Sequence, residues 1–385
     1  MLRSFVSRFA RCLLLGLCSS LLAGVQAQDF VVALSFAGGG WFDRSFNEAT
    51  WAGVARAVRD IGQDRDVDLL IYDLGPDAQG SQGLRNIAAT GVDLIVAAGF
   101  LQRPAIEAIA RDFPEVDVVL IDDIVEASNV RSVIFREHEG SFMVGYIAGS
   151  LSQTGIVGFV GGMDIPLIRA FGLGYRSGVL AACSDCQVLE AYIGDSPLAF
   201  NNPSRARELA AQQQQQGADI IYAAAGNSGQ GVIAHITETM CYDPAGMNLR
   251  ETPLRQRLAD IPLSDAYAAA CQGREPLFFI GVDSNQNFLG DTDGDPSTLN
   301  HGLTSMLKRV DIAAENAVQD VAAGRFRGGL QRLGLAEGGV GYALDIYNRT
   351  LIPETLVLEL ESVRESIVRG DIRVPDYRQL PAETP

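Results

Sequence analysis

The sequence predicts an α/β protein of two similar lobes, each a doubly wound parallel sheet, joined by a hinge. Three observations carry this. Short runs of strand length are apolar at nearly every position, as strands covered on both faces require. Segments with helical spacing separate most of them, the βα alternation of a parallel sheet with right-handed crossovers. The runs also fall into two groups of four, hence two lobes.

The first group is FVVALSF (30–36), VDLLIYDL (67–74), VDLIVAAG (92–99) and VDVVLIDD (116–123), with helical segments such as SFNEATWAGVARAVRDIG and RPAIEAIARDF between its members. The second is IVGFVGG (156–162), CQVLEAYIG (186–194), ADIIYAAAG (218–226) and PLFFIGVDS (276–284). These strands end in polar or Gly-rich turns at 35–40, Gly99-Phe100, 161–164, 226–231 and 283–286. Ligands of doubly wound sheets sit beyond the carboxyl ends of the strands, so the turns are expected to converge on a cleft between the lobes. Residues 234–273 interrupt the pattern and read as a helical insertion. Five consecutive glutamines, 212–216, read as a solvated helix face.

Residues 1–27 carry Arg3, Arg8 and Arg11, then an apolar stretch, then Val25-Gln26-Ala27, the pattern of a secretory signal peptide cleaved near Ala27. Cys18 follows Leu17, whereas a lipid-attachment site wants a small residue there, so a periplasmic soluble protein is favoured over a lipid anchor. Losing three arginines takes the formal net charge from −17 to −20, three positive charges fewer, which argues against nucleic acid as a partner. Cys183, Cys186, Cys241 and Cys271 remain. An even set in an exported chain suggests disulfides, and local pairing gives 183–186 and 241–271, the second stapling the insertion at its base. A redox-active CxxC or half a zinc site lacks its required context.

The turn GWFDRSFNEATWAG (40–53) is the richest motif. Glycines between a strand and a helix let backbone N–H groups approach a ligand, and Asp43 or Ser45 is placed to cap the helix. Trp51 reads as core, and Phe46, at the mouth of the turn, as a ligand platform. Catalysis finds little support, although sheets of this type host many activities: His138, His235 and His301 are scattered, and HExxH, GxSxG and a Walker lysine are absent. NFLGDTDGDPSTLN (287–300) breaks the EF-hand pattern and reads as a polar turn; no metal or cofactor is expected.

The blocks FDRSFNEATWAG, FREHEGSFMVGYIAG, GFVGGMDIPLIRAFGLGYRSG, GADIIYAAAGNSGQGV, IGVDSNQ, LTSMLKRVDIA and GVGYALDIYNRTLIPE occur in order from about residue 31 to about 374. In this the chain resembles the basic membrane protein family, substrate-binding proteins of ABC importers whose best-established ligands are purine nucleosides. The resemblance implies a type I periplasmic binding protein that captures a nucleoside or purine-like molecule and delivers it to a membrane permease, acting as a monomer. Its lobes would be 29–136 rejoined by about 303–330, and 137–302 with 331–385. It also implies that Phe46 and Tyr222, the latter where the family usually has Phe, sandwich a flat ring from opposite lobes. Asp283 and Lys308 would grip the sugar, and Asp43, Asn47, Phe100, Met163, Asp164 and Gly226 fall in blocks lining the cleft. Ala37 stands where the family usually has an acid, and Asn285 where Asp is common, which leaves recognition of the base unassigned. Two other readings, a ligand-sensing module for a membrane receptor and a nucleoside-processing enzyme, are separable by neighbouring permease genes and by product formation.

Overall fold

In the computed structural model, residues 30–36, 38–74 and 78–380 are described. The expected signal peptide, its cleavage site, Cys18 and Ala37 lie outside them. The chain begins with β1 (Phe30–Phe36), α1 (Phe46–Ile61), β2 (Val67–Asp73), α2 (Ala78–Ala88), β3 (Leu94–Ala98), α3 (Arg103–Asp112), β4 (Asp117–Ile121) and β5 (Val130–Phe135). It crosses into α4 (Glu137–Leu151), β6 (Ile156–Met163), α5 (Pro166–Ala182), β7 (Gln187–Gly194), α6 (Pro203–Gln215), β8 (Ile220–Ala224) and α7 (Gly229–Thr239). A small antiparallel ribbon, β9 (Cys241–Tyr242), encloses α8 (Pro253–Leu258) and α9 (Asp265–Ala270) and closes with β10 (Glu275–Pro276). Then come β11 (Phe278–Asp283) and β12 (Gly302–Lys308), a return through α10 (Val310–Ala322) and β13 (Gly329–Leu333), and finally β14 (Val340–Tyr342) and α11 (Glu354–Arg369).

The strands form two six-stranded sheets of matching topology, β13-β5-β4-β3-β1-β2 and β14-β12-β11-β8-β6-β7. Pairing is parallel throughout both, except where β14 runs antiparallel to β12. Each sheet therefore has a switch point, between β1 and β3 in one and between β6 and β8 in the other. All eight strands predicted from sequence form. β1, β3 and β8 are buried along nearly their whole lengths, because helices cover both faces and no solvent-facing alternation is needed. α4 and α5 approach closely through glycines: a Cβ on Gly145 would fall 2.1 Å from the Tyr175 carbonyl oxygen, and one on Gly178 2.0 Å from that of Phe142. Any larger residue at either position would force the helices apart.

Three sequence expectations shift. β12 pairs with β11, so the chain returns to the first lobe after Lys308 and not at 303; β13 pairs with β5, so it stays there through Leu333, past 330. The insertion starts after Met240, since 229–239 is the regular helix α7, and the bridge Cys241–Cys271 closes its base as expected, beside a second bridge Cys183–Cys186. Within the glutamine run, Gln213 is buried and its Nε2 donates to the Phe159 and Leu189 carbonyls, 2.9 and 3.1 Å away. That single glutamine pins α6 to the sheet, while Gln215 and Gln216 face solvent.

Candidate functional site

Both switch points open onto one cavity between the sheets. Its first-lobe wall comes from the turns after β1, β3 and β4, and its second-lobe wall from α5, the turn after β7 and the carboxyl ends of β8 and β11, with Lys308 at the end of β12. In the turn after β1, Gly38, Gly39 and Gly40 have φ of 110°, 86° and 72°, the left-handed side that glycine alone adopts at low cost. Asn47 holds this turn, its Nδ2 donating to the carbonyls of Gly38 (3.1 Å) and Gly40 (2.8 Å). Asp43 accepts from the backbone N–H groups of Ser45, Asn47 and Glu48 and so caps α1; Ser45 does not. Asp43 and Asn47 therefore line the cavity as expected, but their polar atoms are largely occupied in shaping it.

Phe46, in the first turn of α1, presents a half-buried ring to the cavity, with Phe100 beyond β3 on the same wall. Facing them from the second lobe are Phe171 on α5 and Phe200, whose ring lies 6.4 Å from that of Phe100 in an edge-on arrangement. Gly226, at φ 54°, carries the chain past the end of β8 along the same wall. Trp41 and Trp51 pack edge-on, 6.4 Å apart, outside the cavity, with Phe42 exposed against them.

The floor is charged. Asp122 directly follows β4 and Asp283 ends β11, the fourth strands of two lobes with the same strand order, and both sit at positive φ, 73° and 64°. Such a backbone is uncommon for a residue with a side chain and concentrates where function requires it. Lys308 is buried between Asp122 and Glu137, its Nζ 2.7 Å from Asp122 Oδ2 and 3.2 Å from Glu137 Oε1. Three rings surround the ammonium, those of Phe46, Phe135 and Phe171, at 5.3, 5.2 and 5.6 Å. Asp283 Oδ2 accepts from Ser45 Oγ at 2.8 Å, a bond that joins the lobes.

Burial pushes the Asp283 carboxyl up to about 6, against the pull of Lys308 and Ser45. Burial raises Asp122 likewise, with Lys308 opposing it. Burial alone would lower Lys308, but the negative charges of Asp122, Glu137 and Asp283 outweigh it and hold the ammonium above the ordinary lysine value. Asp122 Oδ1 is buried without a hydrogen-bond partner, and so is available to a ligand.

Three sequence assignments need correction. Tyr222 lies in the middle of β8, fully buried, its ring 5.5 Å from Phe159 and 5.1 Å from Tyr175 and its hydroxyl 3.3 Å from Ser141 Oγ. It faces the helices covering the sheet, because only residues at the strand's carboxyl end reach the cavity. Asp164 is exposed and ion-paired with Arg169, and Met163 beside it does not line the cavity, since the turn after β6 bends toward β7 through the bond from Asp164 N to the Gly194 carbonyl. Residues the sequence reading missed are Asp122, Phe171 and Phe200. The strand-end rule reaches Asp122, which closes VDVVLIDD. Composition marks Lys308 in a further way: of 30 basic residues it is the single lysine, the others all being arginine.

Comparison with known proteins agrees with this architecture. The family model for the ABC transporter substrate-binding protein PnrA-like group, Bmp, matches residues 30–378. A CD4+ T-cell-stimulating antigen of Listeria monocytogenes is 30% identical, over 91% of this chain and 89% of its own. An ABC transporter nucleoside-binding protein BmpA of Lactococcus lactis is 25% identical, over 92% of this chain and 91% of its own. Among solved structures, an ABC transporter solute-binding protein of Aeropyrum pernix superposes with a TM-score of 0.71 at 28% identity, covering 90% of this chain and 94% of that one. The chain thus belongs to the Bmp family of PnrA-like ABC transporter substrate-binding proteins, solute binders rather than enzymes that work outside the cytoplasmic membrane with a permease partner.

Proposed function

We propose that the solute is a nucleoside, its base stacked on Phe46 and its ribose held at the charged floor, and that the chain delivers it from the periplasm to an ABC permease as a monomer. The observation that carries this reading is the pairing of an aromatic wall with two carboxylates at matching strand ends. A flat ring against Phe46 gains roughly 1–3 kcal/mol by analogy with base stacking, with little demand on which base it is. Asp122 and Asp283 accept hydroxyl hydrogen bonds, as a vicinal diol requires, and Lys308 donates to the same oxygens. In place of Tyr222, Phe171 and Phe200 supply the second lobe's aromatic surface, so stacking the far side of the base favours closure, since contacts better made in the closed state drive it.

The charged groups lining the cavity are Asp43, Asp122, Asp283 and Lys308, and the lysine is already paired. A phosphate would meet three carboxyls and no uncommitted cation there, so a nucleoside should bind at least about 10-fold more tightly than its monophosphate, a difference of about 1.4 kcal/mol. Titration calorimetry of the mature protein with purine and pyrimidine nucleosides, their bases, their monophosphates and free sugars checks this. Equal affinity for base and nucleoside would remove the sugar grip. Heat from none of the nucleosides would mean another solute class.

A further inference from the structure

The single lysine is held by a chain of ion pairs, buried at Lys308 and Glu137 and half-buried at Arg378, that runs out of the cavity into the last described segment of the protein. Glu137, at the start of α4 where the chain first crosses between lobes, is fully buried. One of its oxygens faces Lys308 Nζ at 3.2 Å and the other faces Arg378 Nη1 at 3.0 Å. Arg378 is itself fixed from two sides. Its Nη2 donates to the Phe135 carbonyl, at the end of β5, at 3.2 Å, and its Nε donates to Asp376 Oδ1 at 2.9 Å. The adjacent Tyr377 hydroxyl accepts from Arg169 on α5 at 3.0 Å. The segment is thus bolted to the first interlobe crossing and to the second lobe, some 70 residues of sequence away from Lys308.

We propose that Arg378 is a positioning residue of the binding site: by pairing with the far oxygen of Glu137 it holds that carboxylate in place, and so sets where Lys308 projects beside Asp122. A buried carboxylate that loses one of its two cations draws the remaining one toward itself. That response moves the ammonium that the ligand meets. On this account the C-terminal segment is a working part of the cleft, although no residue of it lines the cavity. The inference rests on the proposed ligand only for its binding arm, because the ammonium can be observed in the empty protein.

The test uses that single lysine. Mature protein labelled with 15N in lysine has one side-chain ammonium resonance, that of Lys308. Arg378→Met should displace or exchange-broaden it and weaken adenosine binding by about 10-fold, whereas Arg364→Met, which removes only an exposed pair with Glu361, should leave both unchanged. An unmoved resonance in a folded Arg378→Met protein overturns the proposal. If that variant does not fold, Asp376→Asn, which loosens Arg378 and keeps its charge, should still shift the resonance, and an unshifted one there overturns it equally. If the unaltered protein binds no adenosine, the nucleoside reading fails on its own, and the resonance alone decides the role of Arg378.

Discussion

Phe46 and Tyr222 are the two rings the resemblance sets against a ligand, yet only Phe46 reaches the cavity. Phe46 follows the turn that the three glycines and Asn47 hold open, whereas Tyr222 is spaced two residues back from the end of β8 and packs under α4 and α5. Their substitutions should separate accordingly. Phe46→Ala should cost about 1–3 kcal/mol of nucleoside affinity with little loss of stability. Tyr222→Phe should leave affinity unchanged and lower stability by roughly 0.5–1.5 kcal/mol, the usual worth of one buried hydrogen bond, here to Ser141. Calorimetry and urea unfolding on the two variants check both, and a loss of affinity in Tyr222→Phe would return the Tyr222 hydroxyl to the site. Lysine at 308 has its own logic. A compact ammonium fits between two carboxylates inside a ring of three aromatics, where a planar guanidinium would need more room.

At the scale of elements, legibility followed burial chemistry. The eight strands read correctly because apolar side chains on both faces leave an unbroken run, but β5 and β12 did not read at all. Their sequences VRSVIF and GLTSMLK place polar residues inside the sheet, and only the fold supplies the partners that make this tolerable. Arg131 pairs with Asp320 at 2.9 Å, Thr304 donates to the Ala343 carbonyl at 2.8 Å, and Ser305 donates to Asn287 at 2.8 Å. The insertion between β9 and β10 is closed by one bridge, docks on the second lobe through buried Leu254 and the Arg250 bonds to the Gly149 and Ser152 carbonyls, and lies apart from the cavity lining. Replacing Cys241 and Cys271 together by serine should therefore lower stability by on the order of 3 kcal/mol, the chain-entropy value for a loop of this size, and leave nucleoside affinity within about two-fold. Thermal unfolding beside calorimetry decides it, and a large loss of affinity would tie the insertion to the cleft.

Across the whole molecule, the floor of the cavity is also the junction of the lobes. Asp122 belongs to the first sheet and Lys308 and Asp283 to the second, so their protonation is coupled both to ligand and to closure. The signs oppose each other. Asp283 titrates near 6 in the folded chain against an ordinary 3.8, and Asp122 is shifted the same way. Their contribution to the stability of the empty protein is therefore full below about pH 4 and is lost as pH rises through about 6. A diol calls for the ionised forms, so nucleoside affinity should fall as pH drops below about 6, by up to roughly ten-fold per unit for each acid that must lose a proton. Calorimetry at pH 5 and pH 7.5 checks the trend; affinity independent of pH would show that neither carboxyl meets the ligand.

The sequence by itself determined the two-lobed α/β class, the order of the covered strands, the bridging of the cysteines and the family, because continuous apolar runs, local cysteine pairs and ordered motif blocks are properties of neighbours along the chain. The turns after β1 and β11 also placed Phe46 and Asp283 where the cavity lies, whereas Lys308 was reached through the family resemblance alone. Only the tertiary structure turned Tyr222 inward, turned Asp164 outward, brought Asp122 beside Lys308 from 186 positions away, and carried Arg378 back to Glu137. Side-chain direction and charge pairing across such distances depend on which strands become neighbours and which faces the helices cover, and no local pattern records that.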